Sequence, residues 1–346
     1  MIDPNLPLID LHRHLDGNVR LETIIDLGLK NNLPLPAIDI DGLRPFVQVT
    51  SPQPGVMAFL ERFYWLTAVL VDYKACWRVA YENVEDAHHE GLDYIELRFS
   101  PVFMARSHKL APVGVVEAVV AGVNAGQRDF KQPVNLIGII SRTYGIESGW
   151  QELNALLSQR DHIVALDLAG DEANWPGELF SRHFCKARDA GWQVTIHAGE
   201  SDGAESIWQA VEELGAVRIG HAVRAVDDPL LLDYMAEYRI GIEVNLTSNV
   251  QTGTVPDHAR HPIKDFLEHK LLTAICSDDP VISAIDLRDE FEIAAPAAGL
   301  TPAHSRQVQL DTLEMAFLSK SEKQAIRARH TLAAKRAAMV AEKPPH

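Results

Sequence analysis

Eight short apolar runs, separated by stretches of helical periodicity, predict a (β/α)8 TIM barrel for this chain. Most of the runs are continuously apolar rather than alternating, as expected of parallel strands covered on both faces. Each interval between them has room for about one crossover helix. Strand counting alone does not separate this architecture from a doubly wound open sheet.

The first run is Pro7–Leu11, with His12, His14 and Asp16 at its exit. Residues 18–90 form an extended first crossover, marked by Pro34, Pro36, Pro45, Pro52 and Pro54 and by the strongly apolar Val56–Val71. The second strand is Gly91–Phe99, followed by a helix over Val113–Phe130. Val134–Ser141 and the helix Gln151–Gln159 come next, then His162–Leu168 and the helix Glu178–Ala190. The fifth strand is Trp192–His197 with the helix Ala204–Leu214, and the sixth is Val217–His221 with the helix Pro229–Glu237. Arg239–Leu246 and Leu271–Ser277 complete the eight. The tail, residues 286–346, reads as helical until Pro344–Pro345. A barrel of this kind takes roughly 250 residues. The surplus falls in the first crossover, read as a lid or insertion, and in the tail. Residues 1–346 show no interdomain linker, low-complexity tract or repeat beyond the strand–helix period, so one domain is the economical reading.

Composition narrows the function classes. With 32 basic and 48 acidic residues, a formal net charge of −16, the chain repels polyanions. Nucleic acid and anionic membrane surfaces are therefore poor partners, and a neutral or cationic small molecule is easier to accommodate. Cys76, Cys185 and Cys276 are isolated, with no C-x-x-C spacing and no sign of a disulfide framework. No leader and no run of 18 apolar residues is present, so a cytoplasmic protein is expected. Neither a P-loop nor a G-x-G-x-x-G fingerprint occurs.

In a TIM barrel, chemistry belongs to residues just past the C-terminal strand ends. Those positions hold His12, His14 and Asp16; Ala169-Gly170-Asp171-Glu172; His197-Ala198-Gly199-Glu200; Gly220-His221; and Ser277-Asp278-Asp279-Pro280. His12, His14, His197 and Asp278 form a metal-ligand set from three strands, without thiolate, which suits zinc or another first-row divalent ion. Such a site brings the pKa of bound water to about 7. Glu200 is placed to shuttle a proton, and His221 to orient or deprotonate the water. Taken singly, these positions have plainer explanations. Asp-Asp-Pro suits a helix N-cap and first turn, H-A-G-E a simple turn, and Asp171–Glu172 a helix start. The other histidines, His261 and His330 among them, read as structural.

Taken together, the motifs His12-Arg-His-Leu-Asp-Gly, Glu96-Leu-Arg-Phe-Ser-Pro, Asp167-Leu-Ala-Gly-Asp-Glu, His197-Ala-Gly-Glu, Thr247-Ser-Asn and Ser277-Asp-Asp-Pro span nearly the whole chain. On these residues the sequence resembles the adenosine deaminase family of metal-dependent amidohydrolases, most closely its bacterial members. The cysteine-based class of zinc deaminases has no match here. The resemblance implies one Zn2+ per chain on His12, His14, His197 and Asp278, and hydrolytic deamination of adenosine and deoxyadenosine in purine salvage. It makes Glu200 the proton donor to purine N1. His221 becomes the residue that orients or activates the water, with Asp278 sharing that role. By the same resemblance Asp279 meets N7, the backbone at Gly170 meets N3, and Asp16 binds the ribose 5′-hydroxyl. His14 borders the substrate, and Phe59, Leu60 and Phe63 form an apolar lid. A donor role requires Glu200 to keep its proton at neutral pH, so burial is expected to raise its pKa.

Adenine deaminase and aminodeoxyfutalosine deaminase are the alternatives on the same scaffold. Related adenine deaminases tend to carry Glu at the position of Asp16, and the shorter carboxylate leaves room for a ribose. From another class, the alternative is a catalytically silent purine- or metal-binding protein. One position departs from the family pattern: Ala222 follows His221 where glycine is usual.

Overall fold

The structure, a computed structural model, describes the backbone of residues 1–341 and the side chains of residues 1–330. Pro344–Pro345 and the basic side chains beyond residue 330 lie outside the described residues.

Eight strands pair in sequence order, every pair parallel. They are β1 (Ile9–His14), β2 (Tyr94–Phe99), β3 (Val134–Ser141), β4 (Ile163–Ala169), β5 (Gln193–Ala198), β6 (Arg218–His221), β7 (Gly241–Val244) and β8 (Thr273–Ile275). A doubly wound sheet reverses its strand order at a switch point; this one does not. It closes instead, through a bridge between Arg13 and Asp278. The His14 N–H donates to Asp278 O at 2.8 Å and the Asp278 N–H to His12 O at 2.9 Å. That seam seats Asp278 beside both histidines of β1.

Five strands differ from expectation in length: β2, β6 and β7 are shorter than their apolar runs, and the differences in β1 and β8 bear on the site. β1 runs on through His14, so His12 and His14 lie within the strand rather than past its end. A bulge between Asp10 and Arg13 sets one extra β1 residue against β2, and bulges re-aim side chains. β8 is shorter than the apolar run Leu271–Ser277, which continues as the closing seam. β4 and β5 pair only at Ala165/Gln193 and Leu166/Val194, so their ladder stops below the mouth of the barrel.

Outward-facing strand residues such as Leu97, Leu168, Ile196 and Ile242 are fully or almost fully buried against the helices. Their close packing accounts for the continuously apolar runs. The interior carries a layer of buried charge. Arg98 pairs with Asp167 (2.9 Å) and Glu243 (2.7 Å), and Arg218 with Glu96 (2.6 Å) and Glu243 (2.7 Å). Three carboxylates face two guanidinium groups, which leaves one negative charge directly beneath the mouth.

The first crossover holds α1 (Leu21–Lys30), α2 (Ile40–Val47), α3 (Val56–Leu60) and α4 (Tyr64–Ala68) before the crossover helix proper, α5 (Tyr73–His89). Residues 48–53 are tied across the mouth. The Val49 N–H donates to Ile282 O at 2.8 Å and the Gln53 N–H to Gln251 O at 2.7 Å. Behind β2 come α6 (Pro101–Ala105) and α7 (Pro112–Phe130), and behind β3 comes α8 (Gly145–Leu157), which begins earlier than its apolar pattern suggested. The ring continues with α9 (Ser181–Asp189), α10 (Ala204–Glu212), α11 (Pro229–Glu237), α12 (Leu246–Gln251), α13 (Ile263–Glu268) and α14 (Pro280–Ser283). The tail is helical through residue 341, with a π-helical turn over Glu290–Ala294. Among the described residues no single helix is long and apolar enough to cross a membrane.

Candidate active site

His14, Asp16, Gly170, His197, Glu200, His221, Asp278 and Asp279, with Phe59, Leu60 and Phe63, line one cavity of ≈ 320 Å³ at the end of the barrel; His12 lies behind its lining. That volume is at the lower end of the roughly 300–1,000 Å³ typical of small-molecule sites. At its floor the ligand atoms of His12, His197, His221 and Asp278 all lie within 4.8 Å of one another. His14 reaches the same point: its Nε2 is 3.2 Å from His197 Nε2 and 3.4 Å from Asp278 Oδ1. His12 Nε2 stands 3.2 Å from Asp278 Oδ1 and is a buried nitrogen with no hydrogen-bond partner.

The charged layer beneath aims two of these rings. His12 Nδ1 donates to Glu243 Oε2 at 2.8 Å, and His197 Nδ1 donates to Asp167, 3.0 Å from Oδ2. A ring whose Nδ1 proton is held by a carboxylate offers the Nε2 lone pair upward, as in carboxylate–histidine–metal arrangements. Gly220 makes room for this. A Cβ there would meet His12 Cε1 at 2.9 Å. Donors bound at about 2.0–2.1 Å to a tetrahedral ion sit about 3.4 Å apart. The 3.2, 3.2 and 3.4 Å separations, together with the orphaned His12 nitrogen, fit a divalent ion on His12, His14, His197 and Asp278.

The electrostatics follow from burial and from crowding of carboxylates. Burial holds the His197 pKa down to about 4, against the pull of Asp167. Burial also works to lower His14, but the carboxylates of Asp279, Asp16 and Asp278 carry it up to about 9. A cation binding there therefore competes with a proton. Glu200 is pushed well above the usual carboxylate range, by burial first and then by the negative charges of Asp278 and Glu172. Asp279 rises for the same reasons, burial and then Asp278. His221, fully buried, is pushed far down by burial. Its Nε2 lies 3.7 Å from Glu200 Oε2 and 3.9 Å from Asp278 Oδ2.

Asp279 and Asp16 each hold one carboxyl oxygen without a hydrogen-bond partner beside this cavity. Asp279 is the N-cap residue of α14, yet its side chain makes no capping bond, and its Oδ1 is buried without a partner. The capping explanation for Asp-Asp-Pro therefore does not account for it. Gly17 allows the approach, since a Cβ there would overlap Asp279 Oδ1 at 1.7 Å. Asp16 Oδ2 accepts the Ser100 N–H at 3.0 Å, while Oδ1 is buried without a hydrogen-bond partner, 3.6 Å from His14 Nδ1. Phe59, Leu60 and Phe63 of the first crossover form the apolar wall opposite, with Phe63 edge-on to Phe103 at 5.6 Å. Gly170 lines the cavity at φ +110°, where a side chain would also collide with Thr143 Oγ1.

His221, Ala222 and Asp278 are held in the left-handed backbone region, at φ 66°, 52° and 61°. L-residues there carry strain of about 1–2 kcal/mol each, and such strain gathers at functional sites. Glycine would carry less of that strain at the position of Ala222.

Some residues of the site lie outside the short motifs. Glu243 and Arg218 are legible only as charges inside otherwise apolar strand runs, a signal that points inward in a barrel, whereas Asp167 and Arg98 belong to the Asp167–Glu172 and Glu96–Pro101 motifs. Glu172 does more than favour a helix start. Its carboxylate accepts the N–H groups of Gly199 (2.6 Å), Glu200 (3.2 Å), Ser201 (2.8 Å) and Asp202 (3.2 Å), fixing the loop that carries Glu200. Asn249, with its amide 2.9 Å from His221 Nδ1, is joined to His261 at 3.1 Å. His261 is thus coupled to the site, contrary to its reading as purely structural.

Residues 7–331 match the family model described as adenosine deaminase. An adenosine deaminase of Yersinia pseudotuberculosis is 58% identical over 327 residues, covering 94% of this chain and 98% of the relative. Among solved structures, an adenine deaminase from Arthrobacter aurescens superposes with a TM-score of 0.87 at 25% identity, covering 95% of this chain and 99% of that one. An amidohydrolase from Burkhoderia ambifaria with bound Zn gives 0.86 at 25% identity, covering 97% and 93%.

Proposed function

This chain belongs to the adenosine deaminase family, and from that premise we propose how its residues divide the hydrolytic deamination of adenosine to inosine and ammonia. One observation carries the reading: a converging donor set lies at the floor of the cavity that a buried Glu200, raised well above the usual carboxylate range, also lines.

We assign the cation to zinc, one per chain, on three imidazoles and a carboxylate without thiolate. Bound there, zinc supplies a nucleophilic water at neutral pH and stabilises developing negative charge. His12, His14, His197 and Asp278 hold it, with Glu243 and Asp167 orienting two of the rings. Glu200, kept protonated by burial, gives its proton to purine N1, which makes C6 electrophilic. A water oxygen bonds to C6 as its proton passes to Asp278. The C6–N6 bond breaks with the amino group taking that proton as ammonia. The remaining hydroxyl proton returns to Glu200 as the C6 carbonyl forms. Asp279, neutral through burial, donates to N7, and the backbone at Gly170 faces N3. Asp16 offers Oδ1, which has no hydrogen-bond partner, to the ribose 5′-hydroxyl, while Phe59, Leu60 and Phe63 exclude water from the base.

The test is metal analysis with ammonia release from adenosine, deoxyadenosine and adenine. Stoichiometric zinc and release from the two nucleosides is the expected result. Release from adenine but not from adenosine would overturn the assignment of Asp16 and the nucleoside reading with it.

A further inference from the structure

His221 stands at the end of a chain of hydrogen bonds that begins at a donor of fixed sense. The backbone N–H of Ile263 can only donate, and it donates to His261 Nδ1 at 3.1 Å. That nitrogen therefore carries a lone pair, and the ring proton of neutral His261 sits on Nε2. Burial, with the nearby His258, holds His261 down to about 3, so the ring stays neutral. Its Nε2–H points at Asn249, 3.1 Å away, and requires an oxygen there. The other end of the same amide is then Nδ2, a donor, 2.9 Å from His221 Nδ1. The Asn245 amide approaches that nitrogen too, at 3.3 Å. His221 Nδ1 is therefore an acceptor, and its single ring proton lies on Nε2, facing Glu200 and Asp278. His221, Asn249 and His261 are all at most 4% exposed, so water does not substitute for a missing link.

We propose that Asn249 and His261 are positioning residues that set the tautomer of His221, which then donates an N–H from Nε2 and cannot accept a proton there. The inference rests on the deaminase reading only for the identity of the recipient, the attacking water. It also separates His221 from the ligand set. His12 and His197 have their Nδ1 protons on carboxylates and present lone pairs upward, whereas His221, backed by amide donors, presents a proton. The choice between orienting and deprotonating the water thus falls to orienting, and Asp278 is left to take the proton.

Long-range 1H–15N correlation spectra of the zinc-loaded protein test this directly, with His221 and His261 assigned through their Gln variants. Both rings are expected to be unprotonated at Nδ1. A proton on Nδ1 of His221 overturns the proposal. Asn249→Asp replaces the donor by an acceptor; the His221 proton should appear at Nδ1, and kcat should fall about 100-fold with KM changed by less than about threefold. Should that variant not fold, the His261 pair decides. His261→Phe frees the amide to turn and should lower kcat about tenfold, while His261→Gln still donates to Asn249 Oδ1 and should restore it to within about threefold. Wild-type kcat in His261→Phe overturns the relay. A wild-type enzyme that shows the Nε2 proton on His221 but releases no ammonia from adenosine defeats the deaminase reading and leaves the relay standing.

Discussion

Replacing Glu243 by Gln tests whether the charged layer inside the barrel builds the site above it. Glu243 Oε2 receives His12 Nδ1 and Arg98 Nη2, while Oε1 receives Thr195 Oγ1 at 2.9 Å and pairs in charge with Arg218, 2.7 Å from its Nε. Burial alone would raise this carboxyl, but Arg98 and Arg218 hold it far below the usual range, so the native group is ionised. Gln keeps the shape but removes the charge and sets an NH2 donor against groups that also donate. Arg98 keeps Asp167 and Arg218 keeps Glu96, so neither guanidinium is left bare. The cost therefore falls at the lower end of the range for a broken buried pair, about 3 kcal/mol. For a chain this long that lowers Tm by roughly 4 °C. His12 loses the acceptor that sets its tautomer, and the net charge of the layer goes from −1 to zero. Metal affinity should fall about 10–100-fold, or roughly 1.4–2.7 kcal/mol. Urea unfolding of the metal-depleted chain reads the first effect, and zinc competition against a chelator reads the second. A variant with the wild-type unfolding midpoint and wild-type zinc affinity would refute the claim that this layer orients the ligands.

Three further outcomes are expected. Glu200→Gln should retain zinc while kcat drops about 10²–10⁴-fold, and near-normal turnover with metal bound would remove Glu200 as the proton donor. Glu172→Gln weakens four backbone hydrogen bonds and should lower stability by about 2 kcal/mol, with faster proteolysis within residues 199–206; unchanged cleavage would show that the loop holds itself. Glu152 accepts the Ser100 hydroxyl and the Ser141 N–H, and burial raises it to about 8, as burial also raises Glu290. The folded chain then holds protons that the unfolded chain loses near 4.5, so stability falls as pH rises between those values, by up to about 1.4 kcal/mol per unit for each group. Glu152→Gln should flatten that slope in urea midpoints measured from pH 5 to 8, and an identical slope would rule out Glu152 as its source.

The proposed ligand histidines, Asp278, Glu200 and the strand-exit positions were legible in the sequence because each sits in a short motif directly after an apolar run. Their side chains differ sharply from the run, and a parallel barrel places every run's end at the same face. The apolar stretch over Phe59–Phe63 was likewise visible, and it lines the cavity.

What escaped a linear reading depends on which strand lies beside which. Glu243 serves His12 from 231 residues away, and Glu172 serves Gly199–Asp202 across two strand ends. Glu243 lies in none of the short motifs, and Glu172, which closes the Asp167–Glu172 motif, has a plainer explanation at a helix start. The bulge in β1 and the Arg13–Asp278 seam bring Asp278 to the first strand, which no motif encodes. The tautomer of His221 is the clearest division. The sequence by itself determined that a histidine stands at that strand end, since residue type and run length are local. Only the tertiary structure decided what that histidine can do, because the position of its proton follows from hydrogen bonds made by residues 28 and 40 positions further along the chain.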